Sequence, residues 1–519
     1  MSAIAKLYDV ILCNRFLQWY KPKFEQAGAQ KGRGCEEQIF VIRLLIDIAR
    51  KCKFPLYIGY VDYMKAYDKV RRNVLLDMLY RAGCGTIFLM AIAASLVNCS
   101  GLIGGQIFET SAGVRQGAST SCPLFTFFID ATITAVCALG PDGWLENLHI
   151  LLLMDDTVIF ATSRASLIAK LRVLKQKADE LGMEIHPTKS KFMSTDRSDT
   201  SPIIIDSVKM SHTNTYIYLG AVISMENIAD QVKLHFKEKY YQVLKFYAFL
   251  YKNNDAPFYI KKRVWDSCLS SALFYSSETW FTNNLRPAES IYLASLKQLV
   301  SVRNSTPTDC LLAECELPTA KAYIRNKQLL FLRKLYARDN FRESYIGKAL
   351  TLAQRHKTPA SKVIDELLAL PETHDIVTTS IYDTKQRISI SEKTRAATYF
   401  EINPTLSPHV VYSSSCIVPE YMRIAFSRMR LSSHRLRIET GRWTRPKTPE
   451  LERLCECGNN VQNEEHAILR CPLTEHLRSV IPLIRNDPDI TIDQILNVQR
   501  DYAFEICKLC ESVLRFFNR

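Results

Sequence analysis

The sequence predicts an α+β protein, with a split βαβ arrangement in which an antiparallel sheet is backed by helices on one face, followed by a mostly helical chain. Three observations lead there. Residues 149–162, HILLLMDDTVIFAT, hold two short apolar runs around adjacent carboxylates, the pattern of a tight hairpin with Asp155 and Asp156 at its turn. Residues 56–61, LYIGYV, form a second apolar run that ends on a charge, Asp62. Between them stand helical segments and a glycine-framed loop, so two strands with acidic ends are separated by helices and brought side by side.

The elements follow in order. Residues 2–19 and 36–51 read as amphipathic helices, joined by the polar loop QAGAQKGRGCEEQ, where Lys31 and Arg33 could meet phosphates. A helix is expected from Asp68 to Arg81, with Asp68 as its N-cap and Gly83 as its stop. Another follows over 86–98, then a strand pair around 102–108. The loop GVRQGASTS places Gly113 and Gly117 where backbone can approach a ligand, with Gln116 adding a side-chain amide. Ser121 then opens a helix with Pro123 in its first turn. Beyond the hairpin come a helix over 167–181, a short strand at 183–186, Lys189 after a Pro-Thr turn, and a further hairpin with YIYLGAVI as its second strand. Two neighbouring carboxylates between apolar strands repel each other and lose hydration, and a shared cation, Mg²⁺ by preference, keeps them ionised most easily. The competing reading of an Asp-Asp pair alone is a plain turn, because Asp is a good turn former.

Composition narrows the function class. In 519 residues, 67 Lys and Arg stand against 53 Asp and Glu, a net charge of +14 that favours a polyanionic partner. The 16 cysteines lie mostly within apolar runs, as reduced buried thiols do, rather than framing a disulfide-stapled domain. Lys6 and Asp9 interrupt any apolar core of a signal peptide, and the longest apolar run, 87–97, falls well short of the roughly 20 residues of a membrane helix. A soluble, intracellular protein with no membrane partner is expected.

The motifs together resemble the reverse transcriptases of non-LTR (LINE-type) retrotransposons. QAGAQKGRGCEEQI is similar to that family's QxGFxxGRSxxDQI, YVDYMKAYDKV to FxDxxKAFDxV, and GVRQGASTSCPLF to GVPQGSxLSPxLF. LMDDTVIFA resembles YADDxxLxA, GMEIHPTKSKFM resembles GLxINxxKTxxM, and YLGAVI the primer-grip strand. The order of the motifs makes the likeness specific. Met154, Arg115 and His186 depart from the usual Ala, Pro and Asn.

The resemblance implies a right-hand polymerase palm at 56–225, partial fingers at 1–55 and thumb-like helices at 226–284. It also implies a helical connector at 285–419, a basic segment with a CCHC zinc knuckle at 420–480 and a C-terminal helix at 481–519. Asp62, Asp155 and Asp156 would hold two Mg²⁺ ions about 4 Å apart for nucleotidyl transfer from dNTP to a primer 3′-hydroxyl on an RNA template. Lys189 would protonate pyrophosphate. Tyr67 would crowd the sugar 2′-position, Gln116 and Gly117 would line the nucleotide and template pocket, and Tyr218, Leu219 and Gly220 would support the primer end. Met1 falls inside the family's fingers and no endonuclease domain precedes it. A truncated or inactive nucleic-acid-binding protein derived from a retrotransposon is therefore the alternative, or a partner supplies the endonuclease or completes the fingers. The family places such a protein in the nucleus and cytoplasm of a eukaryotic cell.

The C-terminal half adds a second site. Lys233, Lys237, Lys239 and Lys245 could line a duplex groove, and 355–400, charged and punctuated by prolines, could contain a linker. Arg423, Arg428, Arg430, Arg435, Arg437 and Arg442 crowd one short span opposed only by Glu420 and Glu439, a phosphate-binding pattern. Cys455, Cys457, His466 and Cys471 give C-x-C-x8-H-x4-C, with His476 as a spare ligand. The residues alone leave zinc and buried thiols open; the family's CCHC element favours structural Zn²⁺. Cys507 and Cys510 read as one face of the last helix.

Overall fold

The computed structural model describes residues 3–97, 100–115, 117–392, 394–458 and 460–518. It forms two compact units. Unit 1 comprises Met1–Gln231, Glu278–Asn283 and Phe331–Ala369; unit 2 comprises Val232–Ser277, Asn284–Leu330 and Leu370–Arg519.

Unit 1 begins with α1 (Ala3–Trp19), α2 (Cys35–Cys52) and β1 (Tyr57–Val61). Next come α3 (Arg72–Arg81), α4 (Thr86–Leu96), the hairpin β2 (Ser100–Ile103) and β3 (Gln106–Glu109), and α5 (Ser121–Cys137). They are followed by β4 (Ile150–Leu153), β5 (Asp156–Ala161), α6 (Arg164–Leu181), β6 (Lys191–Ser194), β7 (Ile203–Ile205) and β8 (Val208–His212). The hairpin β9 (Thr215–Tyr218) and β10 (Ala221–Ser224) closes the series. Six strands form one sheet in the order β4-β5-β1-β6-β8-β7. The expected antiparallel sheet is in fact mixed, because β6 and β8 run parallel.

β1 is the central strand and every one of its residues is buried, which explains why it reads as an unbroken apolar run. Side chains alternate across it. Tyr57 and Val61 join a core with Phe125, Phe128 and Ile129 of α5 and Leu167, Leu171 and Leu174 of α6. Gly59 also faces α6, and a Cβ there would stand 3.1 Å from Leu167 Cδ1. Tyr60 points the other way and stacks on Tyr216 of β9, ring centres 4.1 Å apart. Burying such side chains at about 25 cal/mol per Å² of apolar surface holds the sheet against its helices.

Three local expectations are corrected. α3 starts at Arg72, not Asp68; residues 65–69 form a turn, with Asp68 and Lys69 N–H donating to Lys65 O, so Asp68 caps nothing. Residues 183–186 do not form a strand. Only an isolated bridge, Tyr63↔Ile185, pairs them with the chain leaving β1. Between that bridge and Tyr60↔Lys191 the pairing slips by three residues, because Pro187 has no N–H and the chain bulges before β6 begins. YIYLGAVI is likewise a hairpin of its own: Leu219 (φ +48°) and Gly220 (φ +78°) make a two-residue turn inside it.

Unit 2 is helical among its described residues. Its core gathers Phe426 and Met429 of the helix Glu420–Arg430, Ile468, and Ile506, Cys507, Cys510 and Val513 of the helix Arg500–Phe517. Both cysteines are core side chains. The charged 355–400 stretch is largely helix, with Ile376–Ser389 capped by Asp375 and Arg395–Ile402 by Thr394 in unit 2. No helix of the described residues is long and apolar enough to cross a membrane.

Candidate active site

β4 and β5 are joined through Met154 and Asp155, with Leu153 opposite Asp156. Met154 takes φ +59°, a conformation that costs a non-glycine residue energy and persists only where neighbours enforce it. The enforcement comes from residues 25–28. Leu152 N–H donates to Glu25 O (2.9 Å), Ala27 N–H donates to Leu152 O (2.8 Å), and Gln26 Oε1 accepts from both Met154 N–H (2.9 Å) and Gly28 N–H (2.8 Å). Gln26 is wholly buried. Sequence reasoning assigned no role to Gln26 or Gly28; the QAG spacing was their only signal.

β5 lies beside β1 with Val61 opposite Thr157, so Asp62, one step beyond β1, emerges next to Asp156. The three carboxylates act on one another. Burial and then the charges of Asp155 and Asp62 push the Asp156 carboxyl up to about 6, and Asp155 is raised by its own burial together with the charge of Asp62. The bulge before β6 supplies the nearby cation: Lys189 Nζ is 3.9 Å from Asp62 Oδ2. His186 N–H donates to Asp62 O (2.7 Å), and Asp62 N–H donates to Ser190 Oγ (3.2 Å), so the same segment fixes Asp62.

A cavity of about 740 Å³ opens beside Asp155, lined by Lys6, Lys65, Tyr67, Arg115, Gly117 and Cys122 among others. Asp68, set aside as a helix cap, also lines it. Tyr67 lies flat on Phe125, ring centres 4.3 Å apart, and burial followed by the neighbouring Cys122 and Asp155 raises its phenol well above the ordinary range. Gly117 adopts φ +80°, the left-handed region that a side chain would disfavour. Gln116 falls outside the described residues. On the other side of the carboxylates, Tyr218 is buried and its hydroxyl has no partner among the described residues. Tyr216, not singled out from the sequence, also stands near the carboxylates, its phenol raised by burial and by the charges of Asp62 and Asp156. Arg33 is already engaged by Glu37 (2.9 Å) and Phe24 O (2.9 Å).

In unit 2, the ligand atoms of Cys455, Cys457, His466 and Cys471 all lie within 4.8 Å of one another. Cys455 and Cys471 Sγ are 3.6 Å apart, and Cys457 Sγ is 3.2 Å from His466 Nε2. Zn–S bonds of about 2.3 Å give a tetrahedral edge of roughly 3.8 Å, close to that separation. His476 stands apart from this group and packs on Phe516. The arginine stretch divides. Arg423 is buried on Glu420 (2.7 Å) and Arg430 on Glu314 (2.7 Å), so neither is available to a phosphate; Arg442 pairs with Glu439 at 3.3 Å. Of the four lysines singled out on the helix Ile228–Lys252, Lys233, Lys237 and Lys245 are exposed, and Lys245 lies over the Tyr241 ring.

Neighbouring strand ends thus present three carboxylates beside a glycine loop and a tyrosine-walled cavity. Residues 1–223 match the family model described as "Reverse transcriptase (RNA-dependent DNA polymerase)". The chain is similar in part to the retrovirus-related Pol polyprotein from type-1 retrotransposable element R2. The Bradysia coprophila protein is 25% identical over 201 residues, 37% of this chain and 23% of that one. The Nasonia vitripennis protein is 26% identical over 243 residues, 43% of this chain and 23% of that one. The matches thus span under a quarter of the length of these curated relatives. Among solved structures, a telomerase from Candida albicans aligns over 71% of this chain and 57% of that chain at 11% identity with a TM-score of 0.31, too low to define the fold.

Proposed function

We propose that the protein is an RNA-directed DNA polymerase that extends a DNA primer on an RNA template from dNTPs. The observation that carries this is the convergence of Asp62, Asp155 and Asp156 at the ends of two adjacent strands, the charges of Asp155 and Asp62 acting on Asp156, with Lys189 Nζ 3.9 Å from Asp62 Oδ2. Such a donor set of hard oxygens fits Mg²⁺. Two Mg²⁺ ions bound to these carboxylates would supply charge stabilisation to the attacking and leaving oxygens of an in-line displacement.

The rest of the work is positioning by the chain's own residues. Gln26 and the backbone of residues 25–28 hold the Met154-Asp155 turn rigid, so Asp155 does not drift when charge develops. Lys189, 3.9 Å from Asp62, would give a proton to a departing pyrophosphate. Tyr67, held flat by Phe125, would limit room at the sugar 2′-position, while Gln116 and Gly117 would face nucleotide and template. Tyr218 and the Leu219-Gly220 turn would support the primer end. In unit 2 the Cys455, Cys457, His466 and Cys471 set would hold one structural Zn²⁺. Primer extension on an RNA template with Mg²⁺ tests the reading: the protein should yield product and Asp155→Ala should abolish it. A protein that binds primer–template but never extends it would instead be the non-catalytic alternative.

A further inference from the structure

Removing Arg423 and Arg430 from the arginine stretch leaves two of its members, Arg428 and Arg435, at a pocket that a distant residue completes. A cavity of about 300 Å³ in unit 2 is lined by Arg303, Arg428, Ser433, His434, Arg435, Leu514 and Asn518. Arg303 arrives from the loop after the helix Arg286–Val300, its backbone N–H donating to Ser433 Oγ at 2.8 Å. Arg428 Nε is fixed by Ser301 O at 3.0 Å. None of the three arginines has an acidic partner within ion-pair distance among the described residues. His434 is held away by Glu464 at 2.8 Å. Glu439 is already shared between Arg395 (3.6 Å) and Arg442 (3.3 Å).

Three guanidinium groups gathered without an ion-pair partner repel one another. Arg303 is lowered by burial and then by Arg435 and Arg428, and Arg428 by burial and then by Arg423 and Arg435. The guanidinium of Arg303 also lies over the Trp443 ring, 4.2 Å from its centre, and that ring is about half exposed. A cationic pocket beside a half-exposed indole suits a nucleic-acid strand: guanidinium forks match phosphate oxygens, and every base can stack on an aromatic ring.

We propose that Arg303, Arg428 and Arg435 form a backbone-phosphate site for a nucleic-acid strand, with Trp443 as its stacking platform. The site rests on the nucleic-acid reading above but uses none of the residues of the carboxylate centre. It also explains why the stretch is so rich in arginine although two members are spent on buried ion pairs. Arg435 is the residue to change, since it is exposed and its side chain makes no hydrogen bond among the described residues.

The test is fluorescence anisotropy of the full chain with labelled single-stranded RNA and DNA over a range of NaCl. Arg435→Gln should weaken binding severalfold and reduce the slope of log K against log salt by about 0.7 for a single strand, one phosphate contact. Arg435→Lys should restore the slope, and Trp443→Ala should weaken binding with the slope unchanged. Arg437→Gln, on the same segment but outside the pocket, should bind as the unaltered protein does. Unchanged affinity and slope in Arg435→Gln and in Arg303→Gln overturn the proposal, even if primer extension is found. Conversely, loss of affinity in a protein that extends no primer supports this site and removes the polymerase reading alone. Tripolyphosphate binding that is lost in Arg435→Gln while both oligonucleotides bind unchanged would make the ligand a free anion and overturn the assignment to a strand.

Discussion

Gly28→Ala perturbs the candidate active site without touching a carboxylate. Gly28 has no unusual φ to protect; it is glycine because the hairpin turn presses on it. A Cβ there would stand 2.6 Å from Met154 Sδ and 2.8 Å from Met154 N. The thioether can swing aside, but the backbone nitrogen belongs to the turn that carries Asp155. Ordinary contact begins near 3.4 Å, so the turn must retreat by about 0.6 Å. The retreat pulls at the Gln26 Oε1 bonds to Met154 and Gly28. Overpacking of this kind costs about 1–3 kcal/mol of stability. Misplacing a catalytic group by 1 Å costs on the order of 100-fold in rate, so a shift a little over half that size should lower kcat about tenfold. Single-turnover primer extension measures the rate, and thermal unfolding the stability. Adding Met154→Ala should recover part of the loss by freeing the sulfur contact but not all of it, because the nitrogen remains. Gly28→Ala extending primer at the unaltered rate, with an unchanged Tm, would refute the bracing argument.

Four other outcomes follow from particular residues. Asp130 is buried, its carboxyl bonded to the Tyr20 hydroxyl and to Lys23 N–H (3.3 Å), and burial raises it to about 6. Because the folded value lies above the unfolded one, its contribution is most favourable below about pH 4 and is lost as pH rises through 6, a change of about 3 kcal/mol. Asp130→Asn should therefore gain stability over the unaltered protein at pH 7 and not at pH 4, as urea midpoints at the two values will report; parallel pH responses would contradict this. Arg430→Met leaves Glu314 buried and unpaired and should destabilise unit 2 by about 3–5 kcal/mol, whereas pairing it with Glu314→Leu should return much of that in the same unfolding assay. Elemental analysis should find one zinc per chain, lost in Cys471→Ser, and a strong chelator should lower the Tm of unit 2. Tyr67→Ala should raise ribonucleotide relative to deoxynucleotide incorporation by about tenfold or more, read from competing single-nucleotide extensions.

What the sequence made legible was local. Alternation and apolar runs located β1, β4 and β5, because a strand buried on both faces or closed by a carboxylate turn leaves its mark within six residues. They also put Asp62 and the Asp155-Asp156 pair at strand ends, and register then brings them together. What it hid was set by distant partners. Asp68 has cap chemistry, yet the chain turns at residues 65–69 and the helix waits until Arg72. Residues 183–190 pair with the end of β1 only through a bulge, which no propensity announces. The six arginines looked alike in one dimension; Glu314, over a hundred residues upstream, decides that Arg430 is core, and Arg303 is recruited from equally far away. Tyr216 was overlooked because its neighbours in YIYLG carried the attention, whereas alternation along β9 turns Tyr216 toward Tyr60 and the carboxylates.

The central claim is that the carboxylates of β1 and of the β4–β5 turn share bound cations. Replacing Mg²⁺ by Fe²⁺ with ascorbate and peroxide generates hydroxyl radicals at the metal, and mass spectrometry of the fragments reads where the backbone is cut. Cleavage is expected at two places far apart in sequence, around Asp62 and around Asp155-Asp156, both suppressed by excess Mg²⁺ and both absent in Asp155→Ala. Cleavage at one of the two alone, or cuts at both that survive Asp155→Ala, would contradict it.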